Sequence, residues 1–473
     1  MFGLFKRKRQ QGSSIETDGL PRKEKVTIRE ADNTGVQQVA KVEIKFEKLL
    51  VKAQEYMSAT YASDLYDVKQ MDTMKQYIKQ FMKDNNYYVP KLSLTEVADK
   101  LYMEMAEYSF LTPLLRRTDI EEININSWKD IKVIPSKGKP YRLKQHFTSP
   151  THASDIIRRM LHSNNYTFDG ANPLVTGHIG SNTRITATHS VIVGKKAGVS
   201  ASIRIVNPTQ MSKEQMVEGK MCTSSMFDML LAFARYGIST VFAGGTGSGK
   251  TTFMSIILRL LAKLLRIITI EQSVREFDLV QEENGEIVSD VVQMVTRETD
   301  NKDKDVTMQK LLVQSLTMDP DLICMAEMKG KEAFDAQEAA RTGHTVLATT
   351  HASSTKGIYT RIATLCLGAD NPLPFNILID LITDAFPIGV YLKKLRDGSR
   401  HIMEISECIS DGDGKYHMNT LYKYEVLDEI EVDGKVKIVG EFRKVNNMSE
   451  SLQHRLIENG MPRSQLRRFL EEE

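Results

Sequence analysis

The run Gly244-Gly245-Thr246-Gly247-Ser248-Gly249-Lys250-Thr251-Thr252 has the residue types and spacing of a phosphate-binding loop, G-x-x-x-x-G-K-[ST]. The chemistry explains the composition. Glycines let the backbone curl so that successive N–H groups converge on phosphate oxygens. Lys250 supplies a compact positive charge for the terminal phosphates of a nucleotide such as ATP, and Thr251 a hydroxyl ligand for Mg2+. A bare pattern can arise by chance; its surroundings make this one specific. Thr240-Val241-Phe242-Ala243 reads as a short buried strand before the loop. Phe253 to Leu265 reads as an apolar helix after it, so a bound anion meets a helix N-terminus.

Other reactive side chains stand at the ends of apolar runs. Ile268-Thr269-Ile270 leads to Glu271, a carboxylate able to orient or activate water from a strand's C-terminal end. Taken alone, a glutamate there is more often a surface residue. Leu322-Ile323-Cys324-Met325-Ala326 leads to Glu327 in the pattern of a Walker B acid, which holds Mg2+, often through water. Asp319 and Asp321 precede that strand and read as turn or cap residues. His344 and His351 bracket the strand Thr345 to Thr349. His351, at the C-terminal end, can contact a γ-phosphate, and His344 reads as structural. Zinc would need more ligands than these two supply. Arg184 and Arg204 each lie in an alternating strand, ordinarily a solvated face. In a motor, such arginines neutralise transition-state charge at an interface.

These side chains must be carried by an ordered set of elements. From Cys222 onward strands and helices alternate, which argues for βαβ units and a largely parallel sheet. Asp397-Gly398 and Asp433-Gly434 are hairpin signals, and Ser449 to Leu470 reads as a helix pair. Upstream, Ile120 to Asn126 alternates and is followed by Ile131-Lys132-Val133-Ile134, a hairpin, then a helix near Ala153 to Ser163 and strands at Thr183 to Ala187 and Val199 to Val206. The domain reading is a polar, disordered tail over 1–42, a helical region over 43–115, an α+β domain over 116–208, a linker over 209–221 and an α/β domain over 222–473. Asn207-Pro208-Thr209 marks the exit of the α+β domain. Leu49, Leu50, Ala53, Tyr56 and Met57 form one helical stripe; Leu101, Met105, Tyr108 and Leu111 form another.

The formal net charge of +2 and pI near 8.1 give no electrostatic case for nucleic-acid binding. Four widely spaced cysteines, Cys222, Cys324, Cys366 and Cys408, indicate neither a zinc ribbon nor a disulfide framework and fit a reducing cytosol. No run is long and apolar enough to span a bilayer. Met1 to Arg9 places its basic residues after a short apolar patch, the reverse of a secretory signal, and reads as a solvated basic tail.

Taken in order, these stretches resemble the type II/IV secretion ATPase superfamily, the ring motors of type II secretion, type IV and tight-adherence pili and conjugative type IV secretion. The resemblance runs from about Leu111 to Asn446. Phe110 to Leu115 and Thr118 to Asn126 look like the start of the family's N-terminal domain. Gly180-Ser181-Asn182-Thr183-Arg184 and Ser202-Ile203-Arg204 look like its two arginine strands. Ile270 to Glu276 resembles its Asp box, Leu316 to Glu327 its Walker B box and Thr342 to His351 its His box.

The resemblance implies an α/β fold: a P-loop, RecA-like C-terminal ATPase domain, a smaller α+β N-terminal domain and an N-terminal helical extension. It implies that residues 244–252 bind ATP, that Thr251 and Glu327 serve Mg2+, and that Glu271 is the catalytic glutamate with Glu276 in support. His344 and His351 would couple nucleotide state to movement. Arg184 and Arg204 would reach the nucleotide, with Arg297 as a further candidate. It also implies a homo-oligomeric ring, a hexamer, on the inner face of the cell membrane, acting on an integral membrane platform protein from the cytoplasm.

Three positions depart from the family pattern. Gln272 stands where Asp is usual, Lys329 where Arg is usual, and Thr317 replaces an arginine before the Walker B strand. Lysine for arginine loses bidentate geometry. The missing paired C-x-x-C element favours the tight-adherence and conjugation subgroup. Two other readings stay open: a DNA-translocating conjugation ATPase, and a weakly hydrolysing nucleotide-binding regulator.

Overall fold

The structure is a computed structural model that describes residues 41–60, 71–136, 138–180, 182–206, 211–272, 275–297, 302–369, 373–432 and 434–471. The polar tail up to residue 40, Ser181, the exit turn Asn207-Pro208-Thr209 and Asp433 lie outside the described residues. The chain divides into two compact units, Met1–Leu101 and Tyr102–Glu473. Among the described residues no helix is long and apolar enough to cross a membrane.

In the first unit, helices Phe46–Thr60 and Met71–Asp84 pack through the helical stripe read from the sequence. Leu49, Ala53 and Met57 are buried, with Ile78, Phe81 and Met82 opposite them. The short strands Val42–Glu43 and Tyr87–Tyr88 pair in parallel beside them. The third helix, Leu94–Ala106, buries Val97, Ala98 and Leu101 along one face and runs past the boundary.

The second unit holds two sheets. The first is six-stranded and antiparallel, in the order Tyr141–Arg142, Ile131–Pro135, Ile120–Ile125, Val199–Ile205, Thr183–His189, Leu174–Ile179. Alternation decides its two faces. Ile123, Ile185 and Ile203 point into a core closed by Ile156, Ile157 and Met160 of the helix Pro150–His162. That helix begins under a Ser149 cap, which accepts from the His152 N–H, with proline in its first turn. The intervening positions face away. Register puts Glu122 beside Arg204, Arg204 beside Arg184, and Arg184 beside His178, so the two arginines are cross-strand neighbours in one polar row.

The second sheet has nine strands. In spatial order, Val291–Val295, Ile267–Glu271, Leu322–Met325, Thr345–Thr350, Thr240–Gly244 and Ile388–Lys394 run parallel. Arg400–Gly412, Lys415–Val432 and Lys435–Lys444 then continue it antiparallel. The inner parallel strands are largely apolar because both faces are covered. Phe242, Leu322, Cys324 and Leu347 face a core with Phe227, Phe253 and Leu258. Val241, Ala243, Ile323, Met325, Val346 and Ala348 face a second core with Ile358, Ile362 and Ile382. Each fully buried side chain of this size is worth about 1.5–3 kcal/mol, so the strand order that carries the site is firmly held.

This is the α/β architecture anticipated: a doubly covered, largely parallel sheet preceded by a smaller antiparallel sheet and helices. Local boundaries differ. The helix after the phosphate loop runs Lys250–Leu261 rather than from Phe253, because Gly249, at φ 96°, reverses the chain just before Lys250. Within the stretch read as a linker, Lys213–Glu218 is a helix with a full Ser212/Gln215 capping box, and its Met216 is buried in the first core of the nine-stranded sheet.

Candidate functional site

In an open parallel sheet, ligands gather at the carboxyl ends of the strands. Four adjacent strands supply the residues here. Thr240–Gly244 leads into the phosphate loop, Thr345–Thr350 into His351, Leu322–Met325 into Glu327, and Ile267–Glu271 ends on Glu271. His344 stands at the opposite end of its strand, about 20 Å away along six residues of extended chain. It does not join the group.

The loop is shaped for an anion. At Gly244, φ is 155° and a Cβ would fall 2.2 Å from the Leu392 carbonyl oxygen, so a side chain cannot fit. Lys250 is buried, and in this arrangement its Nζ donates to the carbonyls of Gly244 at 2.9 Å and Gly245 at 3.2 Å. Burial pushes its ammonium below the ordinary lysine range; the Glu327 and Glu276 carboxylates act in the opposite sense, and Arg204 and Lys329 add to the depression. Those are the charges that act on Lys250. Glu276 is among them, and so is Arg204 from the antiparallel sheet. Arg184 reaches the same row only through its pairing with Arg204.

Glu327 is held by its neighbours. Thr349 Oγ1 donates to the Ala326 carbonyl at 2.5 Å, Met328 N–H to Thr349 O at 2.8 Å, and Thr350 Oγ1 to Met328 O at 3.1 Å. Glu332 accepts the N–H groups of Lys329 and Gly330 at 2.7 and 2.8 Å. These bonds bring Glu327 beside His351. Its Oε1 lies 2.9 Å from His351 Nε2 and its Oε2 lies 2.9 Å from Lys329 Nζ. The first pair is within ion-pair distance but not aligned as a hydrogen bond, which leaves Oε1 buried without a hydrogen-bond partner. Lys329 Nζ also donates to Gln272 Oε1 at 3.1 Å. Two residues that depart separately from the family pattern are thus partners of each other.

Glu271 points elsewhere. It is fully buried; Thr269 Oγ1 donates to its Oε1 at 2.7 Å, and the N–H groups of Glu276 and Phe277 donate to its Oε2. Desolvation pushes its carboxyl up to about 7, against the opposing pull of those bonds. In this arrangement it fixes the return of the chain after the strand through its bonds to the Glu276 and Phe277 N–H groups.

The residues fit a magnesium nucleotide. Ser248 Oγ and Glu327 Oε1 are buried polar atoms without hydrogen-bond partners, and the glycine cradle has no room for side chains at Gly244. Thr251 lies in the first helical turn beside Lys250 and Thr252. Arg400 was not legible in the sequence: its Nε donates to the Gly247 carbonyl at 2.8 Å. No local pattern marks a contact 153 residues distant.

Residues 178–383 match the family model described as type II/IV secretion system protein. The type IV secretion system protein PtlH of Bordetella pertussis is 32% identical over 170 residues, covering 35% of this chain and 48% of PtlH. A putative conjugal transfer protein of Mycobacterium tuberculosis is 23% identical, covering 65% of this chain and 86% of that protein. An uncharacterised protein of Methanocaldococcus jannaschii is 26% identical over 59% of this chain and 49% of its own length. The chain spans about half the length or less of the first curated relatives it matches. Among solved structures, the DotB ATPase of Legionella pneumophila is similar at 18% identity and TM-score 0.46, covering 78% of this chain and 86% of DotB. The VirB11 ATPase of Brucella suis is similar at 22% identity and TM-score 0.32, covering 62% of this chain and 91% of VirB11. Through its residues 178–383, the chain is similar to the type II/IV secretion system protein family.

Proposed function

We propose that this protein is an ATP-hydrolysing ring motor of a secretion, pilus-assembly or conjugation system. The observation that carries the reading is the loop itself, where Gly244 admits no side chain, Lys250 Nζ is held against the loop carbonyls, and Ser248 Oγ is buried without a hydrogen-bond partner. The domains in this reading are 116–208 and 222–473, with the nucleotide between them. Residues 244–252 bind phosphate, and Thr251 and Glu327 serve Mg2+. Bound Mg2+ supplies charge neutralisation between phosphate oxygens.

The chain's own groups do the rest. Lys250 leaves its loop carbonyls for the anion. Glu276, whose charge acts on Lys250, orients water together with Glu327, and His351 holds Glu327 in place. Glu271, inward and bonded to the Glu276 and Phe277 N–H groups, supports this loop rather than touching the reacting atoms. Arg204, with Arg184 beside it, answers charge on the terminal phosphate, so turnover changes the angle between the domains. A hexamer at the inner face of the membrane would transmit that motion to an integral membrane platform protein.

The test is nucleotide binding and steady-state phosphate release by purified protein. Lys250→Ala should abolish both; a variant that turns over at the wild-type rate contradicts the reading. A second reading, a nucleotide-binding component with slow turnover, is favoured by the inward Glu271 alone. A wild-type protein that binds ATP but releases no phosphate would establish it.

A further inference from the structure

Arg400 opens the antiparallel strand Arg400–Gly412. Its Nε donates to Gly247 O at 2.8 Å, and its Cδ lies 3.5 Å from where a Cβ on Gly249 would stand. The guanidinium therefore lies along the outside of the phosphate loop. The next two residues grip a different segment. His401, buried and stacked on Tyr424 at 4.2 Å, donates from Nδ1 to the Lys220 carbonyl at 2.6 Å. Ile402 N–H donates to the Met221 carbonyl at 2.8 Å. Met221 closes the circuit, since its Cε lies 2.7 Å from that same Cβ position on Gly249. Lys220 is held at φ 54°, a left-handed conformation that a lysine adopts only when its surroundings enforce it. Lys220 and Met221 follow the helix Lys213–Glu218, through which the chain passes from the antiparallel sheet to the parallel one.

We propose that Arg400 is a positioning residue that couples the state of the phosphate loop to the Lys220–Met221 segment, and through it to the junction between the two sheets. The proposal rests on the nucleotide reading above. An anion drawn into the loop reorients its peptides. Arg400 is fixed to one of them, and its two neighbours are bonded directly to residues 220 and 221, so the two segments move together.

The experiment is hydrogen exchange on the full chain, with and without magnesium ADP, in wild type, Arg400→Ala and Arg400→Lys. In wild type, ADP should protect peptides covering 244–252 and also those covering 216–222. In Arg400→Ala the loop should still be protected at saturating ADP, with the dissociation constant raised about tenfold. The response at 216–222 should be lost. Arg400→Lys should restore part of the affinity through its charge but little of the distant response, because an ammonium does not reproduce the Nε contact. Should the alanine variant fail to fold, Arg400→Gln carries the same comparison. Wild-type protein with no protection at 244–252 overturns the nucleotide reading itself. Protection confined to the loop in wild type, or a response at 216–222 in Arg400→Ala equal to wild type, overturns the coupling.

Discussion

The strands Ile267–Glu271 and Leu322–Met325 lie side by side, run in parallel and share an apolar pattern that leads into a glutamate. The glutamates end differently. Glu271 is the last residue of its strand, still paired with Val295, and its side chain is drawn into the interior where two backbone N–H groups and Thr269 satisfy it. Glu327 stands two residues beyond the end of its strand, on a segment lashed to Thr349 and Thr350, and its carboxylate emerges between His351 and Lys329. One buried carboxyl is pushed up to about 7 by desolvation. The other lies within ion-pair distance of Lys329 and His351 and keeps an oxygen without a hydrogen-bond partner. A glutamate's function here depends on its distance past the last ladder bond, which an apolar-run-then-acid pattern does not encode.

The largest effect should come from Glu327→Gln. Removing the charge should lower ATP turnover by about 100- to 10,000-fold while leaving nucleotide binding measurable. A loss of less than tenfold would make the two strand ends equivalent. Glu271→Gln should act on stability instead. The folded carboxyl titrates above its ordinary value, so its favourable contribution is full below about pH 4.5 and is lost as pH rises through about 7. Thermal unfolding at pH 5.5 and pH 8 should show the glutamine variant gaining on wild type at the higher pH, by up to roughly 2 kcal/mol. A constant difference across that range would mean the carboxyl is not held neutral. The smallest effect concerns Lys329 and Gln272. Lys329 is partly exposed, so a double-mutant cycle with Lys329→Ala and Gln272→Ala should give a stability coupling of under about 1 kcal/mol. Strict additivity would show that the pair is incidental.

Much of this architecture was legible in the sequence. The phosphate loop, its apolar flanks and the alternating strands follow from residue types at short range, and local patterning decides which faces are buried. His351 and Glu327 were candidates because each follows an apolar strand. The remainder depends on contacts between distant segments. Arg184 and Arg204 read as two solvated strand arginines, and only the register between their strands makes them neighbours. Arg400 meets Gly247 only because the strands Thr240–Gly244, Ile388–Lys394 and Arg400–Gly412 are adjacent in the sheet. Gln272 and Lys329 looked like independent losses, and the space between two strand ends makes them one contact. Met216 was read as part of a linker because its helix is only six residues long, too short to show a periodicity.

The most direct test is steady-state phosphate release from ATP by wild type, Glu327→Gln and Glu271→Gln, measured side by side at pH 7.5 with each variant shown to be folded. The expected result is an active wild type, a Glu327→Gln rate at least 100-fold lower, and a Glu271→Gln rate within about threefold of wild type. A Glu271→Gln rate as low as that of Glu327→Gln would contradict the division of roles between the two strand ends.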